Sequence, residues 1–150
     1  MPSIRYMQVQ DKDQVYRIEC EAFSTPWPKD AFEEDSIYDR FILFDGDTVL
    51  GYIFCHSVID ECTIVNFAID SAYRRQGYGS MLLDHALKAT LPKEVKYIYL
   101  DVRASNLAAQ SIYLKFGFRT IGIRRHYYSQ PDEDSLIMQK ILEGNADEKL

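Results

Sequence analysis

The sequence predicts an α/β fold built on one mixed central sheet of about seven strands flanked by about four helices, and three observations predict it. Short apolar runs with strand-like composition recur along the chain, first as hairpins and again as a closing hairpin. One run, Cys62–Ile69, leads into a helix-period segment and then another strand, the signature of a parallel βαβ crossover. Turn and stop chemistry at Asp45-Gly46, Pro92 and Gly117 separates the elements cleanly.

Ile4–Val9 reads as a short strand. A helix capped by Asp11 follows, with Val15, Ile18 and Ala22 on its buried face. Ser24-Thr25-Pro26-Trp27-Pro28 must leave that helix, because each proline restricts itself and the residue before it. A short second helix is expected from Pro28 to about Asp35, with proline tolerated in its first turn. Phe41–Phe44 and Thr48–Val58 form a hairpin about Asp45-Gly46. The strand Cys62–Ile69 then feeds a helix from about Gly77 to Leu91, with Leu83, Ala86, Leu87 and Thr90 at core spacing. Lys96–Val102 is the next strand. Asn106 caps a helix that runs to about Phe116. Phe118–Arg125 and Ser135–Ile141 read as the last antiparallel pair. One domain over residues 1–142 is expected, with a frayed polar tail at 143–150.

Composition narrows the function. The formal net charge of -6 argues against a protein that tracks a nucleic-acid backbone. Cys20, Cys55 and Cys62 are odd in number and lack CxxC spacing, which argues against a disulfide framework or a zinc site. The amino terminus turns charged too early for a signal peptide, and no apolar run is long enough to span a bilayer. These features lead to the expectation of a cytoplasmic protein with no metal, no membrane and no nucleic-acid partner.

Arg74-Arg75-Gln76-Gly77-Tyr78-Gly79 carries the clearest chemistry. It follows a strand and opens a helix, where unpaired backbone N–H groups and partial positive charge attract anions. The segment is neither a P-loop nor a full GxGxxG fingerprint. A second constellation is Asp101-Val102-Arg103-Ala104-Ser105-Asn106 with Tyr113, which brings a strand-end carboxylate and a phenol toward one sheet edge. Taken singly, these residues also suit ordinary structural roles as a strand end, a cap and a core aromatic.

Taken together, these motifs resemble the GNAT acetyltransferase superfamily, whose coenzyme motif [RQ]xxGx[GA] is matched by residues 74–79. The closest likeness is to protein amino-terminal acetyltransferases: bacterial ribosomal-protein-alanine acetyltransferases and the catalytic subunits of archaeal and eukaryotic enzymes. It is carried by PWP at 26–28, NFAIDSAYRRQGYGSMLL at 66–83, YLDVRASNLAAQSIYLKFGF at 99–118 and RRHYY at 124–128.

The resemblance implies a single-domain GNAT fold that transfers acetyl directly from acetyl-CoA to the α-amine of a protein amino terminus, a ribosomal protein among the acceptors. It implies that Phe67, Ala68 and Ile69 pair with the pantetheine arm. Arg74, Arg75, Gln76, Gly77, Tyr78, Gly79 and Ser80 would hold the pyrophosphate, and Asn106 would contact the coenzyme arm. Tyr113 is implied as the proton donor to the leaving thiolate and as a coenzyme contact. Asp101 stands where the ribosomal enzymes carry glutamate and is implied as the base, with bridging water and Glu61 in reserve. Phe23, Pro26, Tyr127 and Tyr128 are implied to grip the acceptor. Two alternatives stand beside this reading: transfer to a small-molecule amine or a lysine side chain, and a non-catalytic acetyl-CoA-binding subunit.

Overall fold

The computed structural model describes residues 1–34 and 36–142. The elements are β1 (Ser3–Tyr6), α1 (Lys12–Ala22), β2 (Asp39–Asp45), β3 (Thr48–Val58), β4 (Glu61–Ile69), α2 (Tyr78–Thr90), β5 (Tyr97–Arg103), α3 (Leu107–Lys115), β6 (Arg119–Tyr128) and β7 (Glu133–Ile141). Short 3-10 turns lie at Val9–Asp11, Lys29–Phe32, Ser71–Tyr73 and Leu91–Lys93. The strands form one seven-stranded sheet in the order β1-β2-β3-β4-β5-β7-β6. The β4–β5 pair is parallel across α2. The pairs β1–β2, β2–β3, β5–β7 and β6–β7 are antiparallel. The α/β class, the mixed sheet and the central crossover match the sequence reading.

Two elements differ from expectation, and both have local causes. The first strand ends at Tyr6 because Asp11 organises a turn upstream of α1 instead of capping the helix with its side chain. The Asp11 carboxylate accepts from Gln8 N–H at 2.8 Å and from both terminal nitrogens of Arg5 at 2.7 and 2.9 Å. The expected second helix is only the 3-10 turn Lys29–Phe32, so three α-helices are present among the described residues. Arg40 donates to the carbonyls of Glu33 and Glu34, at 2.8 and 3.1 Å. Glu33 turns to ψ 170°, an extended conformation that ends the turn, and Arg40 bonds the carbonyls just beyond it. The tail expected at 143–150 lies outside the described residues.

The contacts fall into two compact units. The first comprises Met1–His56 and Val65–Ala89. Its core joins Val15 and Ile18 of α1 to Phe32, Ile42, Val49, Tyr52, Phe54 and Ala68, with Ala22 and Trp27 partly buried against it. Each fully buried aliphatic or aromatic side chain contributes roughly 1.5–3 kcal/mol by leaving water. The second comprises Ser57–Ile64 and the described residues from Thr90 on. Here β5 alternates strictly, burying Ile98, Leu100 and Val102, while Val95, Phe118 and Met138 complete the interior.

Asp11 gives a test of the first unit. Burial alone would raise its carboxyl, but the Arg5 and Gln8 hydrogen bonds outweigh that and hold it below the ordinary carboxylate value. The stabilisation is therefore present above the unfolded carboxylate pKa and is lost as pH falls through the lower folded value. Asp11→Asn is expected to lower stability at neutral pH by about 2 kcal/mol, measured by urea unfolding. The gap between variant and wild type should close as the medium is acidified below that range.

Candidate active site

In the first unit, β4 alternates buried and half-buried residues up to Ile69, then stops at Asp70. Asp70 is itself buried. Its N–H bonds the Leu50 carbonyl at 2.8 Å, and its carboxylate accepts from Ala72 N–H at 3.0 Å and Arg17 at 2.8 Å. Burial would raise this carboxyl, but Arg17 and the Ala72 N–H prevail and hold it below its ordinary value. An anchored, charged Asp70 thus turns the chain out of the sheet and into the 3-10 turn Ser71–Tyr73.

Beyond that turn the backbone takes two left-handed steps, Arg75 at φ 64° and Gly77 at φ 81°. A Cβ on Gly77 would meet nothing within 4 Å, so glycine is required there for its backbone freedom and not by crowding. The first intrahelical bond of α2 runs from Met81 N–H to Gly77 O at 3.1 Å. The N–H groups of Tyr78, Gly79 and Ser80 therefore have no carbonyl within the helix to bond, as at any helix start. Arg74 and Arg75 are exposed beside them. Arg74 also donates to Ile69 O at 3.2 Å, closing the loop on its own strand. Gln76 and Tyr78 line a cavity of about 320 Å³ with Tyr73, Ala72 and residues of the β2–β3 hairpin. These features suit a pyrophosphate: several backbone donors, two guanidinium groups and no Cβ at the apex of the turn.

Close packing fixes the strand end that precedes the loop. A Cβ on Gly51 of β3 would lie 2.5 Å from Ile69 Cδ1 and 2.8 Å from the Ala68 carbonyl oxygen. Backbone thus approaches backbone at Ala68, one of the three residues assigned to the pantetheine arm.

Two of the residues expected to grip an acceptor, Phe23 and Pro26, lie in the same unit just after α1. Phe23 ends the helix in an extended conformation and is 37% exposed. Pro26 is exposed, while the Trp27 ring lies against Tyr38, Phe54 and Phe32 at centroid distances of 5.7, 6.0 and 6.1 Å.

In the second unit, Asp101 sits on β5 opposite Ile137 of β7. Its Oδ1 accepts from Ser135 Oγ at 2.7 Å and from Arg124 Nε at 3.1 Å. Asn106 caps α3, its Oδ1 accepting from Ala109 N–H at 3.1 Å. Tyr113 is only 7% exposed and lies 5.7 Å from the Phe118 ring. Burial, with the neighbouring Tyr128 adding to it, pushes the Tyr113 phenol well above its ordinary value, so it remains protonated at neutral pH.

The register of β6 and β7 shifts between Arg124 and Tyr128, a bulge in which His126 adopts φ 53°. Tyr127 and Tyr128 meet edge to face at 5.0 Å there. Arg103 lies over the Tyr128 ring at 4.4 Å and Arg124 over Tyr127 at 5.6 Å. Burial raises the Tyr128 phenol as well, although Ser135 hydrogen bonding opposes it. Glu61, the reserve base, is exposed at the first residue of β4.

The pattern at 12–118 matches the model of the acetyltransferase (GNAT) family. The chain belongs to the GNAT acetyltransferase family. It is 38% identical over 140 residues to a Bacillus subtilis (strain 168) protein whose name provisionally assigns it as a ribosomal protein bS18-alanine N-acetyltransferase, covering 91% of this chain and 93% of that one. It is 35% identical over 142 residues to the Escherichia coli (strain K12) ribosomal protein bS18-alanine N-acetyltransferase, covering 92% and 96%. The crystal structure of the ribosomal-protein-S18-alanine N-acetyltransferase from Escherichia coli superposes with a TM-score of 0.86 at 34% identity, covering 94% of each chain. Arabidopsis thaliana NAA60, at 16% identity and a TM-score of 0.89, shares the fold.

Sequence reasoning overlooked three anchoring groups: Asp70, Ser135 and Glu19. Ser135 is fully buried and Glu19 nearly so. Asp70 and Glu19 are polar residues at positions where periodicity calls for an apolar one, which is the signal that would have found them, whereas nothing in the pattern of β7 marks Ser135. Gly51→Ala is expected to destabilise the protein by about 2 kcal/mol, because neither the Ala68 carbonyl nor the strand behind it has room to move. Thermal unfolding measures the loss.

Proposed function

We propose that this chain transfers the acetyl group of acetyl-CoA to the α-amino group of a protein amino terminus, a ribosomal protein among its acceptors. The observation that carries the reading is the helix start at Tyr78–Ser80, whose backbone N–H groups follow a left-handed glycine and lie beside Arg74 and Arg75. The named activity of relatives matching nine-tenths of the chain supports the acceptor. A cytoplasmic setting fits such an acceptor, and no helix among the described residues is long and apolar enough to cross a membrane.

Arg74, Arg75, Gln76, Gly77, Tyr78, Gly79 and Ser80 hold the pyrophosphate, and Phe67, Ala68 and Ile69 offer backbone to the pantetheine arm. Asn106 contacts that arm while keeping its capping bond to Ala109. The donor supplies an activated acyl group: a new N–C bond forms at the amine as the thioester C–S bond breaks. The amine must reach this step neutral. A free α-amine has a pKa of about 7.7–8.0, so a modest base is sufficient. Ser135 and Arg124 hold Asp101 through Oδ1, and its second oxygen takes the amine's proton through a bridging water. A backbone N–H near Ile69 stabilises the oxyanion. Tyr113 gives its proton to the leaving sulfur, and the proton shed by the acylated nitrogen returns through water to the Tyr113 phenolate. Phe23, Pro26, Tyr127 and Tyr128 present aromatic and apolar surface to the acceptor's first residues.

Mass spectrometry of short peptides incubated with enzyme and acetyl-CoA tests the acceptor. Acetyl on the α-amine of alanine-initiated peptides is expected. Acetyl only on lysine side chains or only on spermidine would overturn the reading in favour of the alternatives, and no transfer at all would favour a binding subunit. Tyr113→Phe is expected to lower kcat by about 10²-fold with little change in KM for acetyl-CoA. Steady-state kinetics would separate the two effects, and an unaltered kcat would remove Tyr113 from the chemistry.

A further inference from the structure

Glu19 interrupts the apolar stripe that α1 buries. It follows Ile18, lies one turn beyond Val15, and is 2% exposed. Its carboxylate gathers donors from three parts of the first unit. Tyr52 Oη of β3 donates to Oε1 at 2.6 Å, and Asn66 Nδ2 of β4 donates to the same oxygen at 2.8 Å. The backbone N–H of Trp27 donates to Oε2 at 3.0 Å. None of the ion pairs among the described residues involves Glu19.

A carboxylate buried without a counter-charge suffers a heavy desolvation penalty, and an apolar residue of similar size often serves stability as well or better. Three hydrogen bonds to a charged acceptor offset part of that penalty. What leucine could not supply at this position is the link itself. Trp27 N–H belongs to the segment that leaves α1 with Phe23 and Pro26. Asn66 immediately precedes Phe67, Ala68 and Ile69. Glu19 therefore ties the turn after α1 to the strand assigned to the coenzyme.

We infer that Glu19 is a positioning residue for the acceptor: by holding the Trp27 N–H against β3 and β4 it fixes the segment that presents Phe23 and Pro26. This rests on the reading that residues 23–27 receive the acceptor. Glutamine at this position keeps the size but offers one acceptor oxygen and one donor nitrogen, so it cannot satisfy all three donors at once. Kinetics of Glu19→Gln with an alanine-initiated peptide should show KM for the peptide raised at least fivefold, with kcat and KM for acetyl-CoA within about twofold of wild type.

Trp27 is the single tryptophan of the chain, so its fluorescence reports directly on the tether. Acrylamide quenching of that emission should increase in Glu19→Gln. Tyr52→Phe deletes one donor to Oε1 and leaves the Trp27 bond in place. It should lower the melting temperature without changing the peptide KM or the quenching. If circular dichroism shows Glu19→Gln to be unfolded, Glu19→Asp, which is one methylene shorter, is measured in the same way with the same expectation.

An unchanged peptide KM in the folded variant, unchanged quenching, or a Tyr52→Phe variant that raises KM equally would each overturn the inference. Wild-type enzyme that acetylates no peptide would instead defeat the proposed acceptor, and Trp27 quenching would still decide whether Glu19 holds the segment.

Discussion

The Asp70 carboxylate, held between the Arg17 guanidinium and the Ala72 N–H, sets where β4 ends and how the chain enters α2. The chain that leaves β4 and enters α2 is held at that corner. The anchor is charged, buried and bonded on both sides, so rotating it would break an ion pair and a turn together. Gly51 reinforces it from the neighbouring strand by admitting the Ala68 carbonyl to close range. The two left-handed steps and the start of α2 follow directly on that anchored corner.

The second unit holds two side chains in contrasting surroundings. Asp101 and Tyr113 are treated in opposite ways. The carboxylate lies on a strand, steadied by Ser135 and Arg124. The phenol is buried on α3, which raises it well above its ordinary value. The β6 bulge belongs to the same design, because the extra backbone length between Arg124 and Tyr128 lets two adjacent tyrosines meet edge to face.

Much of this was legible in the sequence because it is written in local signals. Strand alternation, Asp45-Gly46, Asn106 and Gly117 fixed elements whose causes lie within a few residues. The turn from β4 into α2 was legible for the same reason. The helix expected after Pro28 stops at Phe32 because Glu33 turns extended, with Arg40 bonding the carbonyls of Glu33 and Glu34, a contact the local pattern does not announce. Asp11 was read as a cap because the pattern shows an acid before a helix, but not that Arg5 competes for it. Glu19 breaks the apolar stripe of α1, but nothing near it in the chain names its partners, and Asn66 looks like an ordinary strand residue until Glu19 is placed beside it. Local chemistry thus gave the strand-to-helix loop, while the anchors that hold it depend on contacts across the fold.

Arg75 carries one more consequence. Its φ of 64° is a conformation in which glycine would be more comfortable, by roughly 1 kcal/mol. The chain places a guanidinium there instead. Efforts to raise heat resistance by relaxing backbone strain would single out this residue early, and glycine in its place would remove an exposed positive charge from the helix start. Backbone comfort and charge pull in opposite directions at a single residue, and the sequence keeps the charge.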